Sequence, residues 1–195
     1  MDAALRHVAL DDKYRLEVGY AYLSGTQALV RLLLAQKARD EAAGYRTAGF
    51  VSGYRGSPLG ELDIELWRAR PFLEQRDIRF VPGVNEELAA TSVWGTQMIG
   101  LNGETTYDGV FGLWYGKGAG LDRSGDALRH TNGAGTAPRG GVIAVIGDDH
   151  AQKSSTHAYH CEPTCADLMI PLLYPADAAE IIEYGLLGWA MSRYA

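Results

Sequence analysis

Apolar and polar positions alternate along the chain in blocks that switch between helical and extended periods. Ala28, Leu29, Leu32, Leu33 and Ala35 recur at helical spacing behind Ser24, a good N-cap, and Gly44 follows. The pattern predicts a helix over 25–43. Arg46–Gly53 holds TAGFVSG, β-rich and apolar without alternation, the mark of a strand covered on both faces. A turn-rich loop, GYRGSPLGELD, leads to a second helix over 59–69 with Leu62, Ile64, Leu66 and Trp67. Ile78–Val81 reads as a strand, and a helix opens at Glu86. Gly109–Tyr115 reads as a third strand, Gly116–Gly120 as a glycine turn and Leu121–His130 as a helix. Asn132–Gly141 reads as a loop, and GVIAVI at 141–146 as the clearest strand of the chain. Met169–Leu173 reads as a last strand. The closing stretch 176–195 reads as an amphipathic helix with Ile181, Ile182, Leu186, Trp189 and Met191 inward. Residues 1–19 read as an irregular lead-in and 20–195 as one domain, with Tyr20–Leu23 extended.

Strands alternating with helices predict an α/β fold: an open, mainly parallel sheet with helices on both faces. Ligands of such sheets bind at the carboxyl ends of the strands. The loops that meet there are 53–61, 82–87, 115–123 and 147–160, the most unusual segments of the sequence. The last helix has no glycine cap or turn after it, and the expectation is a piece of a longer protein, or an N-terminal subunit that continues elsewhere.

Composition narrows the picture. The 195 residues are 47% hydrophobic and 22% charged, with formal charge −6, which fits a globular domain and disfavours nucleic acid as a partner. No apolar run approaches the roughly 20 residues that span a bilayer, so no membrane association is expected. Two cysteines with no secretory signal at the start fit a reducing, cytoplasmic setting.

Several motifs fail. GxGxxG after the first strand and GxSxG are absent. GLWYGKG at 112–118 is one residue short of a phosphate loop, and Gly118 replaces its Ser or Thr. His157, His160, Cys161 and Cys165 are neighbours, but the adjacent pair at 160–161 is awkward for zinc, and no metal site is expected.

Read in order, GYRGSPLGELD at 53–63, VNEELAA at 84–90, LWYGKGAGLDRSGDALRH at 113–130 and GDDHAQKSSTHAYH at 147–160 carry a resemblance. They are similar to the N-terminal region of the fused indolepyruvate ferredoxin oxidoreductases, a branch of the thiamine diphosphate-dependent 2-oxoacid:ferredoxin oxidoreductases. The likeness runs from about Tyr20 to the end. It implies a pyrimidine-binding domain of thiamine diphosphate type, oxidising an aryl 2-oxoacid to an acyl-CoA with coenzyme A and ferredoxin. It also implies that Glu86 is the cofactor glutamate. A carboxylate bonded to the aminopyrimidine ring nitrogen favours the imino tautomer that deprotonates the thiazolium. Asn85, Gly56 and Pro58 fall with Glu86 in the cofactor-binding set. Ser57, Arg55 and Lys117 fall in the substrate set, Arg55 standing where shorter members carry proline.

Plainer readings stand beside these. An acid on a first helical turn contributes about 0.3–1 kcal/mol through the macrodipole with no ligand, and Glu87 competes for the role. Ser57 suits a turn before Pro58, Lys117 a solvated lysine, and His150 an exposed loop. Gly147-Asp148-Asp149 is not the Gly-Asp-Gly that opens a diphosphate–Mg²⁺ site, and iron–sulfur cysteine runs are absent. Thiamine diphosphate with Mg²⁺ would therefore need a diphosphate-binding domain or subunit outside this segment. Iron–sulfur clusters, if used, would also lie elsewhere, and a homo-oligomer is expected. The other readings are a non-catalytic α/β interaction module or assembly subunit, and a thiamine enzyme that decarboxylates without ferredoxin.

Overall fold

A computed structural model describes residues 8–16, 18–55, 59, 61–101 and 103–194. Four strands form one parallel sheet in the order β2-β1-β3-β4: β1 Thr47–Gly53, β2 Ile78–Phe80, β3 Gly109–Lys117 and β4 Val142–Gly147. The helices are α1 Asp12–Arg15, α2 Gly25–Ala42, α3 Leu62–Arg68, α4 Arg70–Glu74, α5 Glu86–Thr96, α6 Gly118–Ala134, α7 Cys161–Asp167 and α8 Ala178–Tyr194. The α/β class read from periodicity is the fold observed.

Period-two side-chain alternation sorts the sheet onto two cores. Phe111, Leu113 and Tyr115 of β3 face one core, with Val51 and side chains from α1, α2, α3, α4 and α8. Trp114 of β3 and Phe50 of β1 face the other, with α5, α6 and α7. Both faces are covered, which is why β1 reads as an unbroken apolar run. Chain order reverses across the sheet between β1 and β3, so the crevice above that pair is the topological switch point. The close β1–β3 contact needs small residues: a Cβ on Gly53 would lie 2.5 Å from the Tyr115 ring.

Several expected boundaries shift. The expected irregular lead-in contains the helical turn α1, and Tyr14 is buried against Phe72 with its hydroxyl on Glu65. Tyr20–Leu23 forms no strand, and Tyr20 and Tyr22 are fully exposed. The helix expected at 59–69 begins at Leu62, stops at Ala69 and restarts as α4 with Pro71 in its first turn, where proline costs least. The expected glycine turn at 116–120 is instead the end of β3 and the start of α6, and Asn132 still lies in α6. Residues 169–173 pair with no strand: Met169 has φ +56°, outside the extended region. On α8, Ile182, Leu186 and Trp189 face the core as expected, whereas Met191 is exposed.

Two buried ties lock α8 in place. Trp189 packs edge-on against Phe111 and donates to the Gly112 carbonyl at 2.9 Å. Arg193 meets Asp40 of α2 in a bidentate pair at 2.6 and 2.9 Å and donates to the Gly140 carbonyl at 2.8 Å. Burial alone would push the Asp40 carboxyl up. Arg193, Thr47 and Gln36 outweigh it and hold the group below its ordinary value. A depressed carboxyl stabilises the fold above its unfolded pKa, and that stability is lost as pH falls through the folded one. Asp40→Asn is therefore expected to cost about 3–5 kcal/mol at pH 7 in urea denaturation. Its gap from wild type should narrow as pH drops below about 4.

Candidate functional site

Parallel pairing of β1 and β2 continues beyond the strands. Val81 N–H donates to the Val51 carbonyl and Gly83 N–H to the Gly53 carbonyl, both at 3.0 Å, and Tyr54 bridges Gly83. This carries the chain to the carboxyl edge of the sheet, where Asn85 turns it into α5. Asn85 has extended dihedrals, and its Oδ1 accepts from Leu88 N–H at 2.8 Å. It is a side-chain N-cap, as its residue type and place predict.

Glu86 opens α5 and is half-buried, whereas Glu87 is exposed. The Glu86 carbonyl accepts from the buried Trp114 indole at 3.0 Å, which fixes the helix start on β3. Its side chain lies across the first turn of α6. A Cβ on Gly120 would sit 2.6 Å from Glu86 Cγ and 3.2 Å from Oε1, so only glycine leaves the side chain its place. The first turn of α6 contains no acid of its own, and its N-cap, Lys117, makes no side-chain cap. The Glu86 carboxylate thus stands at the amino-terminal ends of two helices. Among the described residues no group donates a hydrogen bond to that carboxylate or forms an ion pair with it. It is positioned, partly desolvated and free to accept.

The other loops close on the same edge. Leu59 lies over Gly147 and Tyr159 over Gly118, each at a distance that excludes a Cβ. Lys117 Nζ donates to the Ser154 carbonyl at 2.6 Å. Asp149 accepts from the N–H groups of Ser154 and Lys153 at 2.8 and 2.9 Å, and these hold its carboxyl down at about 2. The four loops picked out by sequence therefore do converge. Not every candidate residue joins them in the same way. Lys117 is engaged with loop 147–160, Arg55 is exposed at the end of the β1 extension, and Asn85 spends its side-chain oxygen on the cap. Gly56, Ser57 and Pro58 lie outside the described residues.

The histidine–cysteine group does not assemble. Cys161 and Cys165 are buried in the second core, while His157 and His160 are exposed and His160 pairs with Glu162 at 2.6 Å. Burial, then the bond to Asp148, pushes the Cys161 thiol up, away from the thiolate a metal or nucleophile would use. Among the described residues no three such groups gather as metal ligands. Sequence reading missed Gly120, which it placed in a turn. The available signal was glycine at 118 and 120 before a helical stretch, an unfavourable pair unless something must approach closely.

No protein-family model, no curated protein and no solved structure matches this chain.

Gly120→Ala separates packing from positioning. Alanine favours helix over glycine by about 1 kcal/mol, so the folded stability of the variant should stay within about that range. Its methyl group should displace the Glu86 side chain, visible as a shifted Glu86 carboxyl resonance in carbon-detected NMR. An unchanged Glu86 signal would show that α6 does not constrain it. In the wild-type spectrum Asp149 should titrate near 2, against about 3.9 in an unfolded chain. Its loop contacts are then complete above pH 4 and lost as pH falls toward 2.

Proposed function

We propose that this chain is the pyrimidine-binding half of a thiamine diphosphate-dependent 2-oxoacid:ferredoxin oxidoreductase acting on an aryl 2-oxoacid of indolepyruvate type. The observation that carries the reading is the Glu86 carboxylate: half-buried at the carboxyl edge, set by Trp114 and Gly120, and unpartnered among the described residues. The macrodipole alone accounts for an acid at the first position of α5. It does not account for a glycine in the first turn of α6 that makes room for that acid's side chain.

The residues present fit one part of the cofactor. An acceptor in a partly desolvated place suits the protonated ring nitrogen of an aminopyrimidine, and holding that proton is the task assigned to Glu86. Bound thiamine diphosphate supplies the carbon nucleophile for the 2-oxoacid carbonyl. Asn85 fixes the helix that carries Glu86. Loop 147–160, joined to Lys117 through Ser154, walls the same edge. The described residues offer no group of acids for Mg²⁺, so the diphosphate and metal are assigned to a second domain or subunit. An apolar rim beside Glu86 suits such a cover: Val84 is 82% exposed, and Val81 and Leu88 are each 50% exposed. Coenzyme A and ferredoxin belong to the same assembled enzyme in this reading.

Calorimetric titration of thiamine diphosphate with Mg²⁺ into the assembled protein, wild type beside Glu86→Gln, tests the assignment. Wild type should bind, and the variant should lose at least about tenfold in affinity, the loss of one hydrogen bond to a charged group. It should also lose turnover with an aryl 2-oxoacid while its unfolding midpoint is retained. Equal binding and turnover by both proteins would remove Glu86 from the cofactor. Absence of binding by wild type would leave an α/β interaction module, with the apolar rim as its contact face.

A further inference from the structure

Strand β4 is one of the two edges of the sheet, β2 being the other. Its residues Val142–Gly147 are apolar or glycine, with no charge or proline, and no described strand lies outside it. Natural proteins seldom leave such an edge unguarded, because its free N–H and C=O groups recruit any extended chain. One outward group has a local partner: Val142 N–H donates to Ser192 Oγ at 2.9 Å. Ala144 and Ile146 share the parity of Val142, so their backbone groups also point outward.

The chain that follows α7 runs along this edge. Its start is held by Asn132, near the end of α6, whose side-chain amide donates to the carbonyls of Leu168 and Met169. That is the amino-edge side of the sheet, since α6 begins where β3 ends. Its far end is held at the carboxyl edge, where the Tyr174 hydroxyl donates to Glu162, one residue after Cys161, and the Cys161 N–H meets Asp148 just beyond β4. Five extended residues cover about 17 Å, the height of a six-residue strand. The segment therefore travels in the direction of β4. Two of its side chains, Ile170 and Leu173, lie on opposite faces of the sheet. Ile170 packs against the second core, as Val142, Ala144 and Ile146 of β4 also do. Leu173 lies toward Gly188 on the other face, where Ile143 also approaches.

We propose that Pro171–Tyr174 docks on β4 as a fifth parallel strand, a pairing that the arrangement described above leaves unmade. Parity fixes which amides take part. Across the existing ladder, Gly112, on the second-core face, turns its N–H toward β4 and donates to the Gly141 carbonyl at 2.8 Å. Residues on the first-core face turn theirs the opposite way. In a fifth strand running parallel, Pro171 and Leu173 would face β4, and Leu172 and Tyr174 would face away. Pro171 has no N–H to give and stands at the strand's first position, where proline is tolerated. Leu173 N–H is then the donor from the new strand, and Ala144 and Ile146 N–H are the donors from β4.

Hydrogen exchange followed by NMR on the 195-residue chain tests this at two protein concentrations, with sedimentation recording the oligomeric state. The expected result is slow exchange at Ala144, Ile146 and Leu173, at least roughly a hundredfold slower than Leu172, in a monomer and at both concentrations. Fast exchange at Leu173 and Ala144 would overturn the proposal. So would protection at Leu172 with Leu173 fast, since that parity is wrong for a parallel strand. Protection that appears only with dimer formation would overturn it as well, because a second copy would then hold the edge. The outcome is independent of thiamine diphosphate binding.

Discussion

The indole of Trp114 joins the core of this domain to its candidate site. The ring is fully buried in the second core, between α5, α6 and the sheet, and its N–H donates to the Glu86 carbonyl. A buried indole N–H usually finds an acceptor. Here the acceptor is the first residue of α5, so satisfying the core also fixes where the acid begins its helix. The neighbouring side chains of β3, Phe111, Leu113 and Tyr115, pack into the opposite core. One strand thus carries both layers and sets the height of the carboxyl edge.

The rest of the architecture serves that placement. The β1–β2 pairing extends to Gly83 and delivers the chain to Asn85 at a fixed point. The first turn of α6 gives up helix propensity at Gly118 and Gly120, and those positions admit Tyr159 and Glu86. Far from the site, Arg193 and Trp189 clamp α8 against α2 and β3. Rigid strands below and shaped loops above are the usual division between scaffold and chemistry in open α/β sheets.

The sequence made much of this legible because the strongest signals were local. Ser24 and Asn85 both cap the helices their positions predict, Ser24 in a reciprocal capping box with Gln27. The flat apolarity of TAGFVSG foretold a strand covered on both faces. The four loops were found because glycine, proline and charge cluster in them. What escaped reading depended on contacts distant in sequence. Gly118 and Gly120 look like turn residues until Tyr159 and Glu86 are placed against them. Tyr14 looked like part of a polar lead-in, yet it is held by Glu65, 51 residues away. Cys161 and His160 are adjacent in sequence, but one faces the core and the other the solvent. Ser57, Gly56 and Pro58 stay as the sequence left them, and Arg55 gains an exposed position with no partner among the described residues.

The central claim is that Glu86 is the acid that meets the pyrimidine ring. A crystal or cryo-electron microscopy structure of the assembled protein with thiamine diphosphate and Mg²⁺ tests it most directly. The account predicts a pyrimidine ring nitrogen within hydrogen-bond reach of the Glu86 carboxylate, roughly 2.6–3.2 Å, with Gly120 beneath the acid and the diphosphate held by another domain. A cofactor seated elsewhere, or a Glu86 that stays turned to solvent beside a bound ring, would contradict it.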